Sequence, residues 1–550
     1  MNPTKSERMG DFDRRKFLKT GAAGLTLLMS GLASKRLAAQ ETSGQVIIGF
    51  SQEPTVLHPH MPHIEVDEGV HFNLFDPLFI VDSEGNFQPA LAREVPTVEN
   101  GGISEDGLKW RVKLREGVKW HDGTPFTSKD VKFTIELQKD PMFSAMRRTG
   151  HELVRNIRIV NDHEITWEMA SPFAPYASIL SWTFIVPEHV LGGADDPNKT
   201  DFGNNPVGTG AFKFGERVAG NYILLDANHD YFGDGPHVER VIFRYIPDMT
   251  VLYTQFRTGD IDVIGLQGIQ PDRYEQASQL PEREIVVTPA ATIESISFNL
   301  GKPQFQDPAV REALYYALDK ATIIDAIYYG IPEPTESFLP HESPYHNDDL
   351  PAAEYNLEKA RQILDEAGWK PGPDGIREKD GVRLSFKNST TAGNSVREQT
   401  QQFIQQSYAD IGVEMEISNL PPAVMWGEYW QMSEFDSAMV GIVYTTGPDP
   451  DVSNYLDSSA ISAKGGAGQN TWQYENETID ELLARGGSLF EPVKRKEVYN
   501  EIQEIVRKDL PFLPIFQYAN LRGHKTGLEG FDPNVNVRIE TWNVNEWRWT

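Results

Sequence analysis

The stretch from Leu108 to Phe133 reads LKWRVKLREGVKWHDGTPFTSKDVKF, and its pattern changes period partway along. Trp110, Val112 and Leu114 alternate with Arg111, Lys113 and Arg115, the period of two that marks a half-buried strand. Glu116-Gly117 and then Asp122-Gly123 supply turns, so a short meander is expected. Thr127 and Asp130 stand at capping-box spacing and open a helix through Val131 and Ile135. Strand and helix alternating within one short block predict an α/β chain.

The same alternation continues outward. Asp307 as N-cap and Pro308 at the first helical position open a helix with Val310, Ala313, Leu314, Ala317 and Leu318 on one face. Another spans Leu357 to Ala367, with Ala360, Ile363, Leu364 and Ala367 as its apolar stripe and Gly368 where a left-handed cap is wanted. A third, near Lys494 to Lys508, buries Tyr499, Ile502, Ile505 and Val506 and is stopped by Pro511.

At its start the chain carries DRRKFLK from Asp13 to Lys19, then an apolar stretch from Gly21 to Leu32, Lys35 and Arg36, and the small pair Ala38 and Ala39. That order predicts a twin-arginine signal peptide over residues 1–39, hence export in the folded state to the periplasm. Spanning a bilayer takes about 20 apolar residues, so the mature chain is expected to be soluble. With no cysteine in 550 residues, neither a disulfide nor a cysteine-linked lipid anchor is available. Residues 1–39 carry a net charge of +5, and removing them takes −29 to −34. Such a surface repels nucleic acid and anionic lipid.

The remaining ~510 residues exceed one core, because cores stop growing near about 250–300 residues, so at least two lobes are expected. Catalytic motifs are missing. His121-Asp122-Gly123 reads as a turn rather than a general base. Gly208-Thr209-Gly210 lacks the continuation of a nucleotide loop and also reads as a turn. His151-Glu152 and His163-Glu164 have no second histidine four positions after the first, and no Gly-x-Ser-x-Gly elbow occurs. One cluster, His58, His60 and His63 with His71 beyond, invites a zinc, copper or nickel ion. Pro59 and Pro62 disfavour the helix that would pair those ligands, so solvated or pocket-lining histidines are the competing reading.

Several blocks together resemble the family-5 extracellular solute-binding proteins, the peptide, nickel and oligosaccharide receptors of ATP-driven importers. They are NLFDPLFIVDSEGNFQPALA from Asn73, the Leu108–Phe133 stretch, PVGTGAFKF from Pro206, ANHDYFGDGPHVERVIFRYIPD from Ala227 and GDIDV from Gly259. FQDPAVREALYYALDK from Phe305, EKARQILDEAGW from Glu358 and DLPFLPIF from Asp509 come after them in the same order. The resemblance implies a two-lobed type II periplasmic-binding fold with an extra subdomain, roughly 85–205, inserted in lobe one. Lobe one would take 41–297 and 515–550, and lobe two 298–514. It also implies a non-enzymatic receptor that captures a peptide-like solute in the interlobe cleft and delivers it to an inner-membrane permease. Such receptors act as monomers and carry no cofactor. An oligosaccharide, an opine-like molecule or a metal complex is the alternative ligand, and a secreted hydrolase built on paired carboxylates is a further reading.

For the site, FDSAMVGIVYTTGPDPD from Phe435 to Asp451 matches the place where peptide-binding relatives carry a tryptophan after a glycine and then an aspartate for the peptide's α-amino group. Here Gly441 is followed by Ile442, and the acid falls at Thr445 or Thr446, with Asp449 and Asp451 only later. Either Asp449 has moved in or the ligand has no such amine, since a buried ammonium needs a carboxylate partner. Trp426 matches a cleft tryptophan of relatives, with a core aromatic as the competing reading. Trp430 and Tyr444 extend its wall, and Phe72 completes the candidate set. Trp542, Trp547 and Trp549 near the end are expected to pack in lobe one.

Overall fold

The structure, a computed structural model, describes residues 44–265, 268–445 and 447–550. The expected export signal and Thr446 lie outside the described residues. Among these residues no helix is long and apolar enough to cross a membrane.

One eleven-stranded sheet runs through the molecule. At one end stand Phe212–Val218, Tyr222–Ala227, Arg240–Tyr245 and Gln45–Phe50, and at the other Ser437–Val443, Ser385–Ser389 and Glu414–Ile417. Two long antiparallel strands, Arg283–Phe298 and Phe512–Lys525, join the ends. Their register runs from Arg283 opposite Lys525 to Pro289 opposite Ala519, breaks, and resumes with Ile293 opposite Gln517.

Separate apolar clusters lie on either side of that break. Val46, Ile48, Phe50, Phe212, Phe243 and Trp547 share the core of the first end. Ile296, Phe298, Leu314, Leu364, Phe386 and Tyr408 share one core of the second, and Val440, Tyr444, Trp472 and Tyr499 another. A further cluster holds Trp110, Trp120 and Trp167, where Lys109–Lys113, Glu164–Met169 and Val154–Asn161 form their own three-stranded sheet.

The local expectations have direct counterparts. Trp110 and Val112 are buried between exposed Lys109, Arg111 and Lys113. The Thr127 N–H donates to Asp130 Oδ2 at 2.9 Å, and the Lys129 N–H donates to Thr127 Oγ1 at 3.3 Å, ahead of helix Ser128–Lys139. Asp307 Oδ1 accepts the Ala309 N–H at 3.0 Å at the head of helix Pro308–Tyr316. Gly368 has φ +86° just past helix Leu357–Glu366. Helix Pro492–Asp509 ends at Leu510, itself left-handed, ahead of Pro511. Ile505 is only partly covered there, whereas Tyr499, Ile502 and Val506 are buried.

The two dismissed motifs are turns that dock on each other. His121 donates its backbone N–H to the Gly208 carbonyl at 2.8 Å, and its Nδ1 accepts the Gly208 N–H at 3.1 Å. A Cβ on Gly208 would collide with the Leu74 carbonyl, so glycine is required by close approach to the end of helix Glu65–Leu74. Asp122 pairs with His189 at 2.8 Å.

Candidate functional site

Two adjoining chambers, of about 410 and about 800 Å3, open between the two ends of the molecule and share Val443, Asn454, Tyr455, Gln469 and Arg538. Both lie in the range of small-molecule sites, about 300–1,000 Å3. The smaller is walled on one side by Arg147, His151 and Trp182, and on the other by Tyr444, Thr445 and Asp451. Trp426 and Trp430 line the larger.

The loop carrying the aspartates is shaped by its own chemistry. Gly447 takes φ +59°, a conformation glycine adopts without strain, and the rings of Pro448 and Pro450 restrict the backbone on either side of Asp449. Asp449 Oδ1 accepts the Asp451 N–H at 2.9 Å, an Asx turn. Asp451 Oδ1 accepts the Ser453 N–H at 3.2 Å and the Ser453 hydroxyl at 2.6 Å, and helix Ser453–Leu456 begins there.

Asp449 is committed to the protein. Arg495, from helix Pro492–Asp509, donates to its Oδ2 and Oδ1 at 2.6 and 2.8 Å, with both side chains buried. The guanidinium lies over the rings of Tyr499 and Tyr345 and donates through Nε to the Gly486 carbonyl. The idea that Asp449 has moved in to meet a ligand amine therefore meets a carboxylate already held by a bidentate partner. Asp451 differs: among the described residues no hydrogen bond or ion pair reaches its Oδ2. Burial, and then the charge of Asp449, raise its carboxyl above the ordinary aspartate range.

Across the chamber, Arg147 donates to Glu68 Oε1 at 3.1 Å and lies 5.0 Å from the Trp182 ring centroid. His151 contacts the Tyr176 and Thr183 hydroxyl oxygens, each at 3.2 Å, and burial pushes it down to about 4. His60 is held well below its ordinary value, also by burial, with its Nε2 against the Phe184 carbonyl. Arg538 comes from the C-terminal segment, with φ +63°. Among the described residues its one hydrogen bond is through its backbone carbonyl, so the guanidinium has no partner there.

The remaining expected site residues divide. Tyr444 lines the smaller chamber while packing on Trp472 and Phe512, and Thr445 is a buried neighbour on the same wall. Trp426 is 39% exposed, donates Nε1–H to Thr391 Oγ1 at 3.1 Å and meets Trp430 edge-on. Phe72 stands one layer back, 5.5 Å from Trp182 and 5.0 Å from Phe184 between ring centroids.

The histidines meet in two pairs, His58 with His60 at 6.1 Å and His63 with His71 at 5.0 Å between ring centroids. His58 is wedged between Phe143 and Phe202, while His63 pairs with Glu68 at 3.4 Å and contacts the Met61 carbonyl through Nδ1. Among the described residues no group of three or more His, Asp or Glu side chains is placed to hold a metal. Arg147, Trp182 and Arg538 have no local signal in the sequence, because three distant segments supply them.

Comparison with known proteins is consistent with this geometry. Residues 86–464 match the profile of the bacterial extracellular solute-binding proteins, family 5. The oligopeptide-binding protein AppA of Bacillus subtilis is 29% identical over 530 residues, 94% of this chain and 93% of that protein. The solved structure of AppA with a nonapeptide superposes with a TM-score of 0.74 at 27% identity, covering 93% of this chain and all of the other (100%). NikZ from Campylobacter jejuni, solved with Ni(L-His), gives a TM-score of 0.77 at 25% identity over 92% of this chain and 99% of that one. The fold is the two-lobed α/β fold of these binding proteins.

Proposed function

Because the chain belongs to the bacterial extracellular solute-binding proteins, family 5, we propose that it is the receptor of an ATP-binding-cassette importer, holding a peptide-like solute between two lobes and presenting it to the membrane permease. In this reading the lobes meet at the register break, so lobe one takes residues up to about Pro289 and resumes near Ala519, with lobe two between. In this reading the first crossing comes about eight residues before the expected 297/298 junction and the second about four after the expected 514/515 junction. Closure about two crossings buries the solute, and the closed form is the one the permease reads.

The observation that carries the reading is the open Oδ2 of Asp451 in a chamber lined from both lobes. An ammonium there would relieve the charge that burial disfavours, taking the part that Asp449 cannot take while Arg495 holds it. The named ligand of AppA, an oligopeptide, has such an amine. An oligosaccharide is the second reading, favoured by the exposed face of Trp426 in the larger chamber.

Native mass spectrometry and thermal shift with a tripeptide mixture, and with its N-acetylated copy, test the proposal. Ligand at 100 times its Kd stabilises the fold by about 2.7 kcal/mol. The free-amine mixture is expected to bind with unit stoichiometry and no turnover, with affinity falling about ten- to a hundredfold on N-acetylation or in Asp451→Asn. Equal binding of both mixtures removes the amine anchor, and hydrolysis of the peptides removes the receptor reading.

A further inference from the structure

Leu489, Phe490 and Glu491 join helix Glu477–Ser488 to helix Pro492–Asp509. Both helices pack through Leu482, Leu483, Tyr499 and Ile502 into the core that also holds Val440 and Tyr444, and Leu489 leans on that core as well. Phe490 turns the other way. Its ring packs against the cluster of Trp110, Trp120 and Trp167, meeting Trp110 edge-on at 6.4 Å between centroids. Two neighbouring side chains of one short link are thus divided between two cores, the second being that of the separate three-stranded sheet.

The seat is shaped for this ring. Gly107, at φ +69°, faces it, and a Cβ there would collide with ring carbons of Phe490. Beside the seat the Ala174 N–H donates to the Gly487 carbonyl at 2.7 Å. Phe173 and Pro175, on either side of Ala174, line the smaller chamber. One residue back, the Gly486 carbonyl accepts the Nε–H of Arg495, the arginine that holds Asp449. Hydrogen bonds therefore connect the Asp449 loop through Arg495 to the link, and the link in turn to the opposite rim of the chamber.

We infer that Phe490 is a clasp at the chamber rim, so that the closed receptor is held by a contact of the protein with itself as well as by the solute. This rests on the proposed closure of two lobes, in which Trp110 and Phe490 belong to different lobes, and adds what holds them shut. Opening withdraws the ring from its apolar seat, and a contact made in only one form biases the equilibrium toward that form. Apparent affinity scales with the fraction of molecules in the competent form. Loss of the clasp therefore weakens every solute by the same factor, whereas loss of a residue that touches solute discriminates among them.

The chain has no cysteine, so spin labels can be placed on the full-length protein through Lys129→Cys and Glu504→Cys, exposed positions on either side of the clasp. Double electron–electron resonance would give the label separation in this parent, in Phe490→Ala, Phe490→Leu and Gly107→Ala, and in Phe490→Ala combined with Gly107→Ala. Each would be measured with and without a tripeptide mixture, and melting temperatures would show that each variant folds. Without peptide the parent is expected to hold a short-distance population. Its ratio to the long-distance one should fall about tenfold in Phe490→Ala, the range for a packed aromatic contact, and less in Phe490→Leu. Gly107→Ala should open the molecule too, and the combined variant no further than Phe490→Ala, because Gly107 acts through that ring. Saturating peptide should restore the short distance in every variant, at about tenfold higher concentration in Phe490→Ala. A parent found only at the long distance without peptide, a Phe490→Ala distribution that matches the parent, or effects of the two substitutions that multiply would each overturn the clasp while the receptor reading stands. Variants that open and that no peptide closes would support the clasp and sink the peptide reading.

Discussion

The two walls of the smaller chamber handle charge in opposite ways. On the wall that carries Tyr444 and Thr445, Asp449 is locked by two N–H donors of Arg495, and Asp451 has a carboxylate oxygen to spare. On the wall that carries His151 and Trp182 the locked partner is Arg147, over the Trp182 ring and bonded to Glu68, and the cation without an ion-pair partner among the described residues is Arg538. Each wall thus has one charge satisfied within the fold and one left over, of opposite sign. A saturated pair resists removal of either member because the other is stranded in low dielectric, whereas a lone charge facing a cavity already lacks a partner. Under the proposed role, stability and recognition would reside in different residues that line or back the same chamber.

That division predicts unequal responses. The largest belongs to Arg495→Ala, which strands Asp449: a loss of about 3–5 kcal/mol in urea unfolding is expected, and a loss under about 1 kcal/mol would show that Asp449 is not held as the geometry implies.

A smaller effect comes from the opposite wall, that of His151, through pH. Burial keeps the His151 side chain neutral, lowering it from 6.5 to about 4. The unfolded chain takes up a proton through that interval and the folded one does not, so this stability is complete above about pH 6.5 and is lost as pH falls toward 4. By linkage it amounts to about 3 kcal/mol. His151→Gln should flatten the acid limb of a melting-temperature profile, and a variant profile parallel to that of wild type would count against a neutral, structural His151.

The smallest effect is at Trp426, which is 39% exposed: Trp426→Ala removes its hydrogen bond to Thr391 and its edge-on contact with Trp430 and should cost about 1–2 kcal/mol. A larger loss would move it from the chamber wall into the core.

Legibility tracks distance along the chain. The Thr127–Asp130 box, the Asp307 cap and the Trp110–Val112 alternation depend on residues a few positions apart, and each reads directly from local spacing. The turn at His121 is legible as a turn, but its docking on Gly208 is not, because the partner lies far along the chain and leaves no local pattern. The chamber fares worse. The family resemblance locates the Phe435–Asp451 segment, yet which aspartate is free depends on Arg495, a residue of a distant helix. Phe72, expected as a wall residue, stands behind Trp182 instead. Arg538 belongs to a stretch without periodicity or motif, and only the fold brings it to the chambers.

The broken register between Arg283–Phe298 and Phe512–Lys525 has a mechanical consequence. A hydrogen-bonded ribbon resists bending because its rungs must deform together, and Ala290 and Ala291 have no ladder partner on the opposite long strand. Under the proposed closure the ribbon would crease there, and a rotation about the crease would swing whole walls of the chamber while the ladders on either side stay intact. How long a captured solute stays would then depend on the elasticity of Pro289 to Ile293, a length of chain that lines neither chamber.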